Sequence, residues 1–136
     1  MNSTESRAPD AILAIDDERG ILELVRETLE GEGYRVHTAT KPRDAIQLYA
    51  ESWRDIQLVL SDFTMPEMKG DLVLENLRQI NPDVQAILVT GYGEPVARKM
   101  LAMGVRGCLE KPFHLEDLVH CVDEALAGGQ TAVVEA

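Results

Sequence analysis

The sequence predicts an α/β domain: a five-stranded parallel sheet in the order 2-1-3-4-5, with helices on both faces. Three observations lead there. Short apolar runs alternate with amphipathic stretches between residues 10 and 127, the mark of repeated β–α units whose strands pair in parallel. The first, third and fourth runs, AILAI, IQLVLS and VQAILVT, are nearly continuous in apolar residues, as strands buried on both faces must be. The second and fifth, YRVHT and VRGCL, carry polar residues or glycine, which favours them as the sheet edges and matches the order 2-1-3-4-5 known for doubly wound sheets.

Each element follows in turn. The first strand spans Ala11–Ile15, and Ile21, Leu22, Val25 and Leu29 form the apolar stripe of the helix after it. Gly31 and Gly33 stand where that helix should stop. The second strand spans Tyr34–Thr38. Its helix carries Ala45, Leu48, Tyr49 and Trp53, with Pro42 in the first turn, where a missing N–H costs little. The third strand, Ile56–Ser61, precedes a helix on Val73, Leu77 and Ile80 that ends at Asn81-Pro82. The fourth, Val84–Thr90, precedes a shorter helix on Val96, Met100 and Met103, stopped by Gly104. The fifth, Val105–Leu109, leads to a last helix on Leu115, Leu118, Val122 and Leu126. The folded domain is therefore expected over 10–127, with 1–9 and 128–136 as flexible termini.

Composition narrows the function. A chain of 136 residues makes one domain. It has 24 acidic against 13 basic side chains, a formal charge of −11, which disfavours direct contact with nucleic acid. The N-terminal MNSTESRAPD is polar, and no apolar run approaches the ~20 residues that cross a bilayer. A soluble, cytoplasmic protein without membrane contact is expected. Cys108 and Cys121 lack the spacing of a zinc site and read as buried thiols. His37, His114 and His120 are too dispersed for a histidine metal site.

The chemistry collects where ligands bind in such sheets, beyond the carboxyl ends of the strands. There the first strand delivers Asp16, Asp17 and Glu18, the third Asp62, the fourth Thr90 and Gly91, and the fifth Glu110, Lys111 and Pro112. Three converging aspartates repel one another, and a hard divalent cation such as Mg²⁺ relieves the conflict. With a lysine and a hydroxyl beside them, they offer a nucleophile, charge neutralisation and positioning, the needs of phosphoryl transfer. Each residue also has a plainer role available: a helix cap for Asp17, a turn for Asp62 before Met65-Pro66, a strand-end hydroxyl for Thr90, a solvated charge for Lys111.

At these residues the chain resembles a response-regulator receiver domain of two-component signalling, a flavodoxin-like fold. The similarity runs over residues 10–127 and rests on Asp16-Asp17, LVLSDFTMPEMKG around Asp62, VTGYG around Thr90 and EKPF around Lys111, in that order. It implies that Asp62 accepts a phosphoryl group from a histidine kinase or phosphotransfer protein. It implies further that Asp17, Asp62 and the carbonyl of Thr64 ligate Mg²⁺ directly, with Asp16 acting largely through water. Lys111 would pair with the phosphoryl group, before a cis bond to Pro112, and Thr90 would be the switch hydroxyl. The domain would assist its own phosphorylation and dephosphorylation without being a turnover enzyme. It would pass its state to an unknown downstream protein through the fourth helix, fifth strand and fifth helix. A homodimer is left open.

Two positions depart from the family pattern. Cys108 stands three residues before the lysine, where receivers usually carry a tyrosine or phenylalanine ring; Tyr92 is a candidate to replace part of that ring's role. Gly91 follows Thr90 where alanine is common, and the TGYG wording resembles receivers attached to hybrid sensor kinases. Three rival readings compete with this one. A haloacid-dehalogenase-type phosphatase needs a second aspartate two residues after the nucleophile, where this chain has Thr64. A nucleotide or flavin module needs a glycine-rich phosphate cradle, and IDDERG is not one. A receiver-like adaptor that takes no phosphate would not need the full residue set.

Overall fold

A computed structural model of the chain describes residues 10–91 and 94–133. In order it contains β1 (Ala11–Ile15), α1 (Arg19–Gly31), β2 (Arg35–Ala39), α2 (Pro42–Ser52), a 3₁₀ turn (Trp53–Asp55), β3 (Leu58–Asp62), α3 (Gly70–Ile80), β4 (Ala86–Thr90), α4 (Glu94–Ala102), β5 (Gly107–Glu110), α5 (Leu115–Leu126) and β6 (Thr131–Val133). All pairings between these strands are parallel, and the strand order is β2-β1-β3-β4-β5-β6.

The first five strands take the expected order 2-1-3-4-5. The sixth was not expected. Residues 131–133, read from sequence as part of a loose tail, pair with β5, so β5 is not an edge strand. A three-residue strand after Gly128-Gly129 is too short for alternation to betray it. Several strand starts also fall later than their apolar runs. Ile56 closes the 3₁₀ turn, its N–H bonding to the Trp53 carbonyl, and Val84 does the same with Asn81, so β3 begins at Leu58 and β4 at Ala86. Val105 and Arg106 precede β5 rather than belong to it.

Alternation along the strands divides the interior into two layers. Leu13, Ile15, Val59, Leu88 and Cys108 face Tyr49, Val73, Leu74, Leu77 and Met100. Ile12, Ala14, Leu58, Leu60, Ile87, Val89 and Leu109 face Leu22, Val25, Leu29, Leu118, Cys121 and Val122. β1, β3 and β4 are buried at every residue, which explains why they carry almost no polar side chain before their final residues. Gly33 and Gly104 stop α1 and α4 with φ of +97° and +89°, a left-handed backbone that favours glycine. Among the described residues, no helix is long and apolar enough to cross a membrane.

Candidate functional site

Parallel strands bring their carboxyl ends to one edge, and there the polar residues at the ends of β1, β3 and β4 are buried. Asp16 is 5% exposed, Asp62 3% and Thr90 0%; Asp17 faces solvent. Carboxylate oxygens of Asp16, Asp17 and Asp62 all lie within 4.8 Å of one another. The Lys111 ammonium reaches this cluster from the end of β5, 2.9 Å from Asp16 Oδ2, 3.4 Å from Asp62 Oδ2 and 3.6 Å from Glu18 Oε1.

Local backbone geometry fixes each group. The Lys111 N–H donates to the Thr90 carbonyl at 2.8 Å, and the Phe63 N–H donates to the Val89 carbonyl at 2.7 Å, so the ends of β3, β4 and β5 are tied in sequence. The Glu18 N–H donates to Asp16 Oδ1 at 2.9 Å. The residue before α1 is Glu18, without a side-chain cap bond, so the capping role open to Asp17 is not the one adopted. The Thr64 N–H points at Asp62 Oδ1, 3.3 Å away, and Thr64 bridges to Lys69 across the loop. That loop returns so closely that the Gly70 N–H donates to the Phe63 carbonyl at 2.8 Å. A Cβ on Gly70 would stand 2.7 Å from the Phe63 Cα. Gly70 lies in the MPEMKG stretch, but nothing in the sequence pattern alone singles it out. The Lys111–Pro112 peptide bond is cis.

Burial pushes the Asp16 carboxyl above the ordinary aspartate range, and the charge of Asp62 adds to this. The Lys111 ammonium and the Glu18 N–H pull the other way without cancelling it. For Lys111, burial works to lower the pKa, but the bond to Asp16 and the charges of Asp16, Asp62 and Glu18 outweigh it and raise the pKa overall. The ammonium is thus held charged between carboxylates that crowd one another. All the clustered donors are hard oxygens, two buried and one open to solvent, and this set fits a hard divalent cation.

Cys108 is fully buried, with its Sγ 3.6 Å from Met100 Sδ on α4. Tyr92, the candidate to replace the ring absent at 108, lies outside the described residues. Trp53 is half-buried beneath the Arg54 guanidinium, 4.6 Å from the ring centre.

An open parallel sheet with an acidic cluster and a lysine at its carboxyl edge defines a signalling domain of the receiver class. The chain belongs to the response regulator receiver domain family, whose model matches residues 12–123. It is 34% identical over 125 residues to the sensor kinase CckA of Brucella abortus, covering 91% of this chain and 13% of that protein. It is 35% identical over 109 residues to a CpxR homologue, a transcriptional regulatory protein of Haemophilus influenzae, covering 79% of this chain and 46% of that one. The chain thus spans less than half the length of these two relatives. A receiver domain from Clostridium thermocellum superposes with a TM-score of 0.81 at 30% identity, covering 88% of this chain and 95% of that one. The chemotaxis protein CheY4 of Vibrio cholerae does so with a TM-score of 0.79 at 28% identity, covering 87% and 99%.

Proposed function

We propose that the chain is a phosphoacceptor of a two-component phosphorelay, modified on Asp62. The observation that carries this reading is the Lys111 ammonium bridging Asp16 and the buried Asp62. A carboxylate so placed is held in one orientation, and its positive partner is already in reach of an incoming phosphoryl group. A carboxylate oxygen of Asp62 attacks the phosphorus of a phosphohistidine. The P–N bond breaks, its electron pair stays on the imidazole, and an acyl phosphate forms on Asp62. Lys111 moves from pairing with Asp62 to pairing with a phosphoryl oxygen. Water later hydrolyses the acyl phosphate and regenerates the carboxylate. The domain assists these steps on itself and turns over no separate substrate.

Asp17, Asp62 and the Thr64 carbonyl would hold Mg²⁺, with Asp16 behind them. When bound, the cation supplies positive charge against the carboxylates and the phosphoryl oxygens. Thr90, buried at the end of β4, supplies the hydroxyl that biases the start of α4 between two states.

The donor is a histidine kinase or phosphotransfer protein. Leu24 is 48% exposed on α1, and with Ile21, Pro112 and Phe113 it lines an apolar recess beside Lys111. A donor helix docked there would bring its histidine to Asp62. A downstream protein reads the result in the cytoplasm. Intact mass after acetyl phosphate and Mg²⁺ tests the reading. One added phosphoryl group on the wild type and none on Asp62→Asn is expected; equal modification of both would overturn it.

A further inference from the structure

After α5 the chain turns at Gly128, with φ +90°, and runs along β5 as β6, pairing Gly107 with Thr131, Cys108 with Ala132 and Leu109 with Val133. Backbone and side-chain bonds guide it there. The Arg106 guanidinium donates to the Gly128 carbonyl at 3.0 Å, and the Gly129 N–H donates to the Glu124 carbonyl at 2.8 Å. The Gln130 side-chain amide donates to the carbonyls of Val105, at 2.8 Å, and Leu101, at 3.4 Å. Leu101 lies in the last turn of α4, whose carbonyls lack helical partners, and its oxygen also accepts the Gly104 N–H at 3.0 Å. Gln130 therefore ties the tail strand to Val105, just before β5, and by a longer bond to the end of α4.

The other end of α4 begins at Glu94, four residues after Thr90. α4 thus starts four residues after Thr90 and ends beside the tail's clamp. Between those ends α4 packs on β5 through Met100 and Cys108, sulfur against sulfur at 3.6 Å. Such a soft contact tolerates sliding. The bonds of Gln130 are directional and do not. A shift of α4 therefore costs little at Cys108 and loosens the clamp at its longer bond, the one to Leu101. Short edge strands sit at the low-stability end of a fold.

We propose that Gln130 clamps β6 over the outer edge of β5 in the resting state, and that modification of Asp62 releases the strand and uncovers that edge. This rests on the reading of Asp62 as phosphoacceptor. Release and modification are then linked, so loss of the clamp must favour the modified state by the factor the clamp opposed it.

The test uses the full chain with beryllofluoride and Mg²⁺ as a stand-in for the phosphoryl group. Hydrogen exchange over residues 129–133 is followed by mass spectrometry, and beryllofluoride affinity by calorimetry. Expected in the wild type is exchange several-fold faster once beryllofluoride binds. In Gln130→Ala, exchange is fast in both states and beryllofluoride binds about three- to tenfold tighter, the worth of one or two modest hydrogen bonds. A bystander tail would leave that affinity unmoved. Unchanged exchange in the wild type, or equal affinity in Gln130→Ala, would overturn the clamp while leaving the acceptor reading intact. No binding to the wild type, as expected only of Asp62→Asn, would overturn the acceptor reading and the clamp with it.

Discussion

Lys111 Nζ lies 2.9 Å from Oδ2 of Asp16, closer than its 3.4 Å approach to Asp62. The ammonium is thus anchored mainly by a neighbour of the acceptor, and it can follow a phosphoryl group on Asp62 without leaving Asp16. The ammonium offsets part of the negative charge at rest, and the nucleophilic carboxylate keeps an oxygen turned toward the Thr64 N–H.

Removing that ammonium should unbalance the site. In Lys111→Met, Asp16 and Asp62 lose their shared counter-ion. With the lysine side chain 19% exposed, the loss should be about 1–3 kcal/mol, below that of a fully buried pair. Urea unfolding measures it. Mg²⁺ should stabilise this variant more than the wild type, because a cation replaces a missing one; equal Mg²⁺ effects would argue against the shared role.

Asp17 is the exposed member of the acidic cluster, whereas Lys111 pairs with the two buried members, Asp16 and Asp62. Its change to asparagine should therefore spare the resting fold and weaken metal binding. At a hundred times its dissociation constant, Mg²⁺ should add about 2.7 kcal/mol to wild-type stability. Most of that gain should vanish in Asp17→Asn, as read from melting curves with and without the ion.

Gly70 has a steric reason to be glycine. The 2.7 Å approach of an added methyl to the Phe63 backbone cannot be relieved by a side-chain rotation, so Gly70→Ala should cost about 1–3 kcal/mol. The strain falls on the residue after Asp62. Labelling by acetyl phosphate should therefore slow as well, even at temperatures where the variant is fully folded.

The two thiols should be inert in the native protein. Burial pushes Cys108 up to about 11, and Cys121 up to about 12, from 9.0, so neither forms appreciable thiolate near neutral pH. Alkylation at about pH 8 should require unfolding. Since the folded state holds both thiols neutral, their contribution to stability stays intact below 9.0 and declines as pH rises toward 11 and 12. Cys108→Ala and Cys121→Ala should each flatten that alkaline decline in pH-dependent unfolding.

Much of this was legible in the sequence because the same residues carried two signals. AILAI and VQAILVT announced buried strands, and the polar residues that ended them marked the binding edge. Asp16, Asp62, Thr90 and Lys111 meet there because parallel topology leaves their strand ends nowhere else to go. The missed features leave weak or non-local traces. β6 is three residues long, and what stabilises it is the edge of β5, far away in sequence. Gly70 is needed because of where Phe63 lies, which only the folded loop reveals. Glu18, read simply as part of the acidic turn, proves to be a third carboxylate beside Lys111. Strand starts slipped because Ile56 and Val84 are apolar for the sake of the core while their backbones close turns.

Asp62 as the acceptor is the point on which the rest depends. Its most direct test is peptide mapping by mass spectrometry after acetyl phosphate and Mg²⁺, with the acyl phosphate trapped by borohydride reduction. The reduced label should fall on Asp62 within LVLSDFTMPEMK. Label on Asp16, Asp17 or any other residue, with Asp62 unmodified, would contradict the assignment.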